Sequence, residues 1–204
     1  MKTLRLLLIG TAAFLFTNAN AHTAPGAKPA TGAPPAGAGK AKFSPGDTHI
    51  YVTIAEAMQF QLKASEKLRW KMKDGDAEVL ALAMKINKEM TELYTPGVTM
   101  AQEHGVPGNL DKKPKSGTIP NDITVADRAA LTKVDAMNKD DKKWLVALFE
   151  LLAKESKKNA AVAEKAVLSA QDADLKAFTE KAAALLKGES ETVEAKFKEL
   201  KTKK

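Results

Sequence analysis

The sequence predicts an all-α protein, because apolar residues return every three to four positions through most of its length. This spacing fills four long stretches, and residues typical of helix caps and helix ends separate them. The chain of 204 residues contains no cysteine, so an apolar core must supply the stability that disulfides would otherwise add. Together these observations favour one domain built as a four-helix bundle.

The first 21 residues have the pattern of a secretory signal peptide. Lys2 and Arg5 precede an apolar run at positions 6–16, and Ala19 and Ala21 form a small-residue cleavage site. The run is shorter than the about 20 residues that span a bilayer, and no later stretch is long and apolar enough. We expect a periplasmic or secreted product with no integral membrane span after cleavage; an uncleaved anchor is the alternative.

Residues 22–46 are dominated by Ala, Pro, Gly and Thr, with almost no bulky apolar side chain. Such a segment buries too little surface to offset its ordering entropy, so it is predicted to be a disordered tether. The helical domain is expected to occupy residues 47–204, with Asp47 as the N-cap of its first helix.

Five helices are predicted in this domain from the apolar spacing and the capping residues, with Asp76, Thr124 and Asp172 as the caps of the second, third and fifth helices. Their expected bounds are about 48–73, 76–104, 124–138, 140–170 and 173–201. The connection between the second and fourth helices is long and carries the short third helix. Because neighbouring antiparallel helices need only short loops, this length predicts a ferritin-like crossover, with an up-down-up-down bundle as the alternative.

Pro96 interrupts the second helix, with Thr95 before it and Gly97 after it. Proline removes one backbone hydrogen bond and crowds the preceding turn, at a cost of roughly 3 kcal/mol. A kink or break after Tyr94 is therefore expected. It is interpreted either as a side opening for a ligand or as a tolerated kink.

Several short motifs occur at helix ends: Asp76-Ala-Glu-Val79 followed by Ala81-x-Ala83, then Gly105-Val106, then Asp174-Leu-Lys-Ala-Phe178. With their spacing, they resemble the exported bacterial family called domain of unknown function 4142, over about residues 47–200. The resemblance implies a ferritin-like fold and a periplasmic or outer-membrane location. The family has no settled activity.

Members of that family carry Asp-His pairs in two helices and a further His in the last helix. The corresponding positions here hold Glu89-Met90, Glu155-Ser156 and Glu189. The imidazoles are thus replaced, so the resemblance does not extend to a histidine-based metal site.

Glu89, Glu155 and Glu189 fall on or beside the apolar stripes of three helices, at similar heights in a ferritin-like bundle. They are predicted to form a polar layer near Gln61 and Ser65, with the pKa of at least one carboxyl raised by burial and like charge. The alternative is that each side chain reaches water from the edge of its stripe. These three carboxylates are also the candidate metal ligands.

The three histidines, His22, His49 and His104, do not follow a Glu at the spacing of a di-iron bundle, which takes Glu-x-x-His from two helices. Structural roles are expected for all three, and for His104 a contact with the negative end of its helix. No cofactor, catalytic residue or confident metal site is predicted.

The formal net charge is +7, but most Lys residues alternate with Asp and Glu at helical spacing. This pattern is typical of a solvated helical surface, and no aromatic ladder accompanies it, so nucleic acid is not expected as a partner. We expect a non-enzymatic accessory protein, stress-related by family analogy, whose partner is unknown, with another envelope protein as the candidate. The alternatives are a metal-binding or redox protein using the carboxylate layer, and a periplasmic small-molecule carrier.

Overall fold

The computed structural model describes residues 40–72, 75–108, 117–137 and 141–202, all within the compact unit Ala38–Lys204. Five helices make up its regular structure: α1 (Pro45–Lys71), α2 (Ala77–Glu103), α3 (Val125–Asp135), α4 (Asp141–Ser169) and α5 (Ala173–Thr202). The prediction of an all-α fold is confirmed. The signal peptide with Ala19 and Ala21, and the tether up to residue 39, lie outside the described residues.

The first helix begins before the predicted position. Ser44 is its N-cap, because its hydroxyl oxygen accepts the Asp47 N–H at 3.0 Å and Pro45 occupies the first turn. The prediction that Asp47 caps the helix is therefore wrong. Asp47 is buried and accepts the backbone N–H of Gln171 at 2.9 Å, so it ties the start of α1 to the turn between α4 and α5.

At the starts of α2, α3 and α5, the N-cap is the residue that the local sequence predicts. The Asp76 carboxylate accepts the N–H of Glu78 at the start of α2, and the Thr124 hydroxyl accepts that of Asp127 at the start of α3. Asp172 does the same for the first turn of α5. These three predictions are confirmed, since a cap depends on neighbours two or three residues away.

Of the predicted kink or break in α2, the break is wrong, because the helix runs without interruption from Ala77 to Glu103 with Pro96 inside it. The next residue, Gly97, packs directly against the ring of Phe178 in α5. A Cβ at position 97 would lie only 2.5 Å from Phe178 Cε2. This close approach of two helices holds α2 in place across the proline.

The helices pack as two pairs. α4 packs most extensively on α5 and α1 on α2, while contacts of α1 with α4 and of α2 with α5 join the pairs, and α3 packs on α4. The largest fully buried side chains include Tyr51, Phe60, Leu68, Met90, Leu148, Phe149 and Leu175. No helix in the described ranges is both long and apolar enough to cross a membrane.

Candidate functional site

A cleft of about 380 Å³ opens between α2 and α5. α2 presents Leu82, Lys85, Ile86 and Glu89 to it, and α5 presents residues between 184 and 192, including Glu189. Both helices place these residues about one turn apart, so each contributes one continuous strip of its surface. The cleft thus combines apolar walls with a few charged groups.

Glu189 is the most unusual group in this cleft. The residue is only 5% exposed, and neither carboxylate oxygen has a hydrogen-bond partner within the described part of the chain. Burial and the negative charge of Glu89 raise the pKa of Glu189 to about 8, and the positive charge of Lys85 partly opposes this shift. Glu189 therefore keeps its proton at neutral pH, as expected for at least one of the three candidate carboxyls.

The other two predicted site residues lie nearer to water. Glu89 is partly exposed, with Lys85 Nζ 3.9 Å from its carboxylate, and Glu155 lies 3.1 Å from Lys158 Nζ. Among the described residues, these glutamates do not bring three ligand atoms within 4.8 Å of one another. Of the three expected carboxylates, Glu89 and Glu189 therefore line one cleft, and Glu155 is not among its lining residues.

A buried amide and a buried hydroxyl pair with each other between α1 and α4. Gln61 Nε2 donates to Ser156 Oγ at 2.8 Å, and both side chains are fully buried. Tyr51 contacts Phe178 across α1 and α5, with ring centroids 5.7 Å apart. Since both helices advance about 1.5 Å per residue from that contact, Gln61 and Glu189 lie at about the same height. The predicted position of Gln61 near Glu189 agrees with this register.

A second polar cluster lies at the end of α2, around His104, which is 4% exposed. Its Nδ1 is 2.7 Å from the Ala41 carbonyl oxygen, its Nε2 is 3.1 Å from an Asp174 carboxylate oxygen, and the ring stacks on Phe43 at 4.3 Å. The ring can donate to both oxygens only when both nitrogens carry protons. His104 therefore fastens the segment before α1, part of the expected tether, to the helices.

The same cluster contains a group of possible metal ligands, since ligand atoms of His104, Asp172 and Asp174 lie within 4.8 Å of one another. Lys40 Nζ, however, is 2.7 Å from Asp174 and 3.0 Å from Glu103. The Lys40 ammonium, with help from His104, lowers the pKa of Asp174. A positive charge thus already neutralises the carboxylate that a metal would need. Sequence reasoning missed this cluster because nothing local links residues 40, 104 and 174.

A shallower opening of about 260 Å³ lies beside Pro96 and Phe178, where a side opening was one interpretation of the proline. The Phe178 ring fills the space that a Cβ at Gly97 would need, so α2 and α5 are in direct contact beside this opening. The buried groups without hydrogen-bond partners among the described residues do not line it. The cleft at Glu189 is accordingly the stronger candidate.

Comparison with protein-family models, with curated proteins and with solved structures gives no match for this chain. The resemblance to the domain of unknown function 4142 family stays a prediction from sequence motifs. Among the described residues, the cleft between α2 and α5 is the place where a buried carboxyl without a partner adjoins open space.

Proposed function

We propose that this chain is an exported, non-enzymatic protein that binds a small molecule in the cleft between α2 and α5. The single observation that carries the proposal is Glu189: both of its carboxylate oxygens are buried without a hydrogen-bond partner in the described residues, beside a cleft of about 380 Å³. Leaving a buried polar group without a partner costs about 1–3 kcal/mol, more when it is charged. A ligand that supplies the missing hydrogen bonds would recover that free energy.

The proposed scaffold is a ferritin-like four-helix bundle formed by α1, α2, α4 and α5. The starts of α1 and α5 lie together, through the contact of Asp47 with Gln171 and that of Tyr51 with Phe178. α1 and α5 therefore run in one direction and their hairpin partners α2 and α4 in the other. The connection from α2 to α4 must then travel the length of the bundle, as in a ferritin-like crossover.

Export is proposed from the N-terminal sequence, with cleavage after Ala21 and a periplasmic or secreted location. The motif resemblance to the domain of unknown function 4142 family supports the same location. An accessory, stress-related role rests on that resemblance alone. In this setting, the protein would sequester or carry a ligand and would catalyse no reaction.

A metal-binding function is the second candidate. The observation that favours it is the group formed by His104, Asp172 and Asp174. Against it, the positive end of the α5 dipole and the Lys40 ammonium already neutralise the two aspartates. The ligand cleft is preferred because Glu189 has no such counter-charge in contact among the residues that the structure describes.

Native mass spectrometry with metal analysis of protein isolated from the periplasm tests the proposed function. The cleft can be filled with Gly188→Phe, since a Cβ at Gly188 meets no atom within 4 Å. Ala195→Phe, at an exposed position of α5 outside the cleft, is the matched control.

We expect a bound organic mass on the wild type and on Ala195→Phe, and a reduced amount on Gly188→Phe. A bare chain in all three samples would reject the cleft as a ligand site. Stoichiometric metal that disappears in His104→Gln and persists in Gly188→Phe would favour the second candidate.

A further inference from the structure

We propose that the cleft binds a small organic monocation, an alkyl ammonium ion, whose charged head pairs with Glu189 and whose apolar body contacts Leu82 and Ile86. The inference rests on the proposed binding function and adds the chemical class of the ligand. It follows from the hydrogen-bonding chemistry of Glu189, from the other charges in the cleft and from its apolar walls.

The Glu189 carboxyl has no hydrogen-bond partner among the described residues and would be stabilised by a hydrogen-bond donor. An ionised carboxylate only accepts hydrogen bonds, and an ammonium head carries three donors with a full positive charge. The oxygens of Glu189 have no donor within the described residues, and both are shielded from solvent, so an ammonium ion would satisfy both once the Glu189 side chain turns towards the cleft. An anionic ligand would instead meet the carboxylate of Glu89, which also lines the cleft.

The walls favour an organic ion over a metal ion. Leu82, Ile86 and Leu185 line the same cleft, and such side chains offer no ligand atom to a metal. Divalent hard cations take about six oxygen ligands, whereas the three glutamates that line this cleft do not bring three ligand atoms within 4.8 Å of one another. The apolar residues instead give an alkyl chain a surface to cover, and burying that apolar surface favours binding.

Two ionisable groups act on the charge of Glu189. Both are on α2: Glu89 raises the pKa of Glu189, Lys85 opposes this shift, and Lys85 Nζ is 3.9 Å from the Glu89 carboxylate. Glu191 of α5 also lines the cleft, but a residue two positions further along a helix does not face Glu189. The buried pair Gln61 and Ser156, between α1 and α4, is uncharged. Lys85 is the cationic side chain of the cleft lining, and it lies beside Glu89.

Binding of the monocation is linked to proton release. The free protein holds a proton on Glu189 at neutral pH, because burial raises the pKa of this carboxyl to about 8. An alkyl amine is already protonated at that pH, like the Lys side chain. When the pair forms, the Glu189 proton leaves to solvent and the carboxylate charge is balanced by the ligand. The apparent affinity should therefore rise about tenfold per pH unit from about 5.5 to 7.5 and level off above about 8.

Isothermal titration calorimetry at pH 6.5 tests this with three probes of one length: n-hexylamine, n-hexanol and hexanoate. Two buffers with different ionisation enthalpies report the number of protons released. We expect hexylamine to bind the wild type best and to release about one proton. Glu189→Gln should bind hexylamine at least tenfold more weakly and release none. Glu180→Gln, exposed on the same helix, should behave like the wild type, and circular dichroism checks that each variant is folded.

The possible results distinguish a failure of the proposed ligand class from a failure of the proposed binding function. Preferred binding of hexanol or hexanoate, abolished by Gly188→Phe, would overturn the monocation and leave the cleft as a binding site. Hexylamine binding that is unchanged in Glu189→Gln, or that releases no proton, would also overturn it. If none of the three probes binds, the alkyl ammonium class is rejected. The organic mass measured on protein from the periplasm then tests the proposed function independently.

Discussion

Single buried atoms without partners are the clearest chemical features of this protein, and they occur in two different settings. The hydroxyl of Tyr51 has no partner among the described residues, and it lies in the core against Phe178, where burial raises its pKa. Glu189 lacks partners too, but it lines a cleft. The unpaired Tyr51 hydroxyl is an energetic cost of packing the core, since the residue is fully buried. We propose that a ligand in the cleft provides the missing partner for Glu189.

Two tyrosine-to-phenylalanine variants test the cost of an unpaired hydroxyl. Tyr51→Phe should raise the free energy of unfolding by about 1 kcal/mol, because it removes a buried polar group that has no partner among the described residues. Tyr94→Phe should lower it by about 1 kcal/mol, because the Tyr94 hydroxyl donates to the Pro120 carbonyl. Urea unfolding at pH 7 measures both. A loss of stability in Tyr51→Phe as large as that in Tyr94→Phe would show that the Tyr51 hydroxyl has a partner.

At the scale of the helix, α2 shows how packing overrides local preference. Pro96 removes a backbone hydrogen bond, and Gly97 has low helix propensity, so the local sequence favours an end to the helix. The ring of Phe178 occupies the space that a side chain at position 97 would need. Close packing of α2 on α5 thus compensates for the weak segment.

Two glycine-to-alanine variants distinguish the effect of helix propensity on stability from the effect of packing. Gly97→Ala should destabilise the protein by roughly 1–3 kcal/mol, because its Cβ would meet Phe178 at 2.5 Å and force the ring to move. Gly188→Ala, in α5, should stabilise it by about 1 kcal/mol, since its Cβ meets open space and only helix propensity changes. Thermal unfolding followed by circular dichroism distinguishes the two. Stabilisation by both substitutions would mean that α2 and α5 do not approach closely at Gly97.

At the scale of the whole molecule, long-range polar contacts join segments that are far apart in sequence. Asp47 binds the turn after α4, Lys196 of α5 binds Glu78 of α2 at 2.9 Å, and His104 holds the chain that leads into α1. These contacts supplement the apolar core, so the stability of the fold depends on charge and pH as well as on burial.

The free energy of unfolding should fall as the pH rises from about 4.5 to about 8. In this window the unfolded chain loses the Glu189 proton while the folded chain keeps it, because the pKa of Glu189 is raised from 4.5 to about 8 on folding. Glu189→Gln lacks this titration and should be more stable than the wild type at pH 8, by a few kcal/mol. Chemical denaturation at several pH values measures the difference.

The raised pKa of Glu56 acts in the same direction, so the difference between the variant and the wild type is the informative quantity. Glu180→Gln serves as the control because Glu180 is exposed on the same helix. If the stability of Glu189→Gln ran parallel to that of the wild type from pH 4 to pH 8, the carboxyl would be ionised in the folded protein.

Local sequence patterns were enough to predict the all-α class, the approximate bounds of five helices and the caps at Asp76, Thr124 and Asp172. These features depend on apolar periodicity and on hydrogen bonds between residues close in the chain. The sequence also placed Glu189 among the candidate site residues, since an acidic residue on an apolar stripe is visible without a structure.

Tertiary structure alone decided which glutamate is buried, because a shift of one residue around a helix separates Ser156 inside from Glu155 near the surface. It also decided that α2 continues through Pro96, and that His104 binds the chain before α1. Each of these outcomes depends on atoms contributed by a second helix or a distant segment. Local spacing carries no information about such partners, and their packing and desolvation energies are what select the final arrangement.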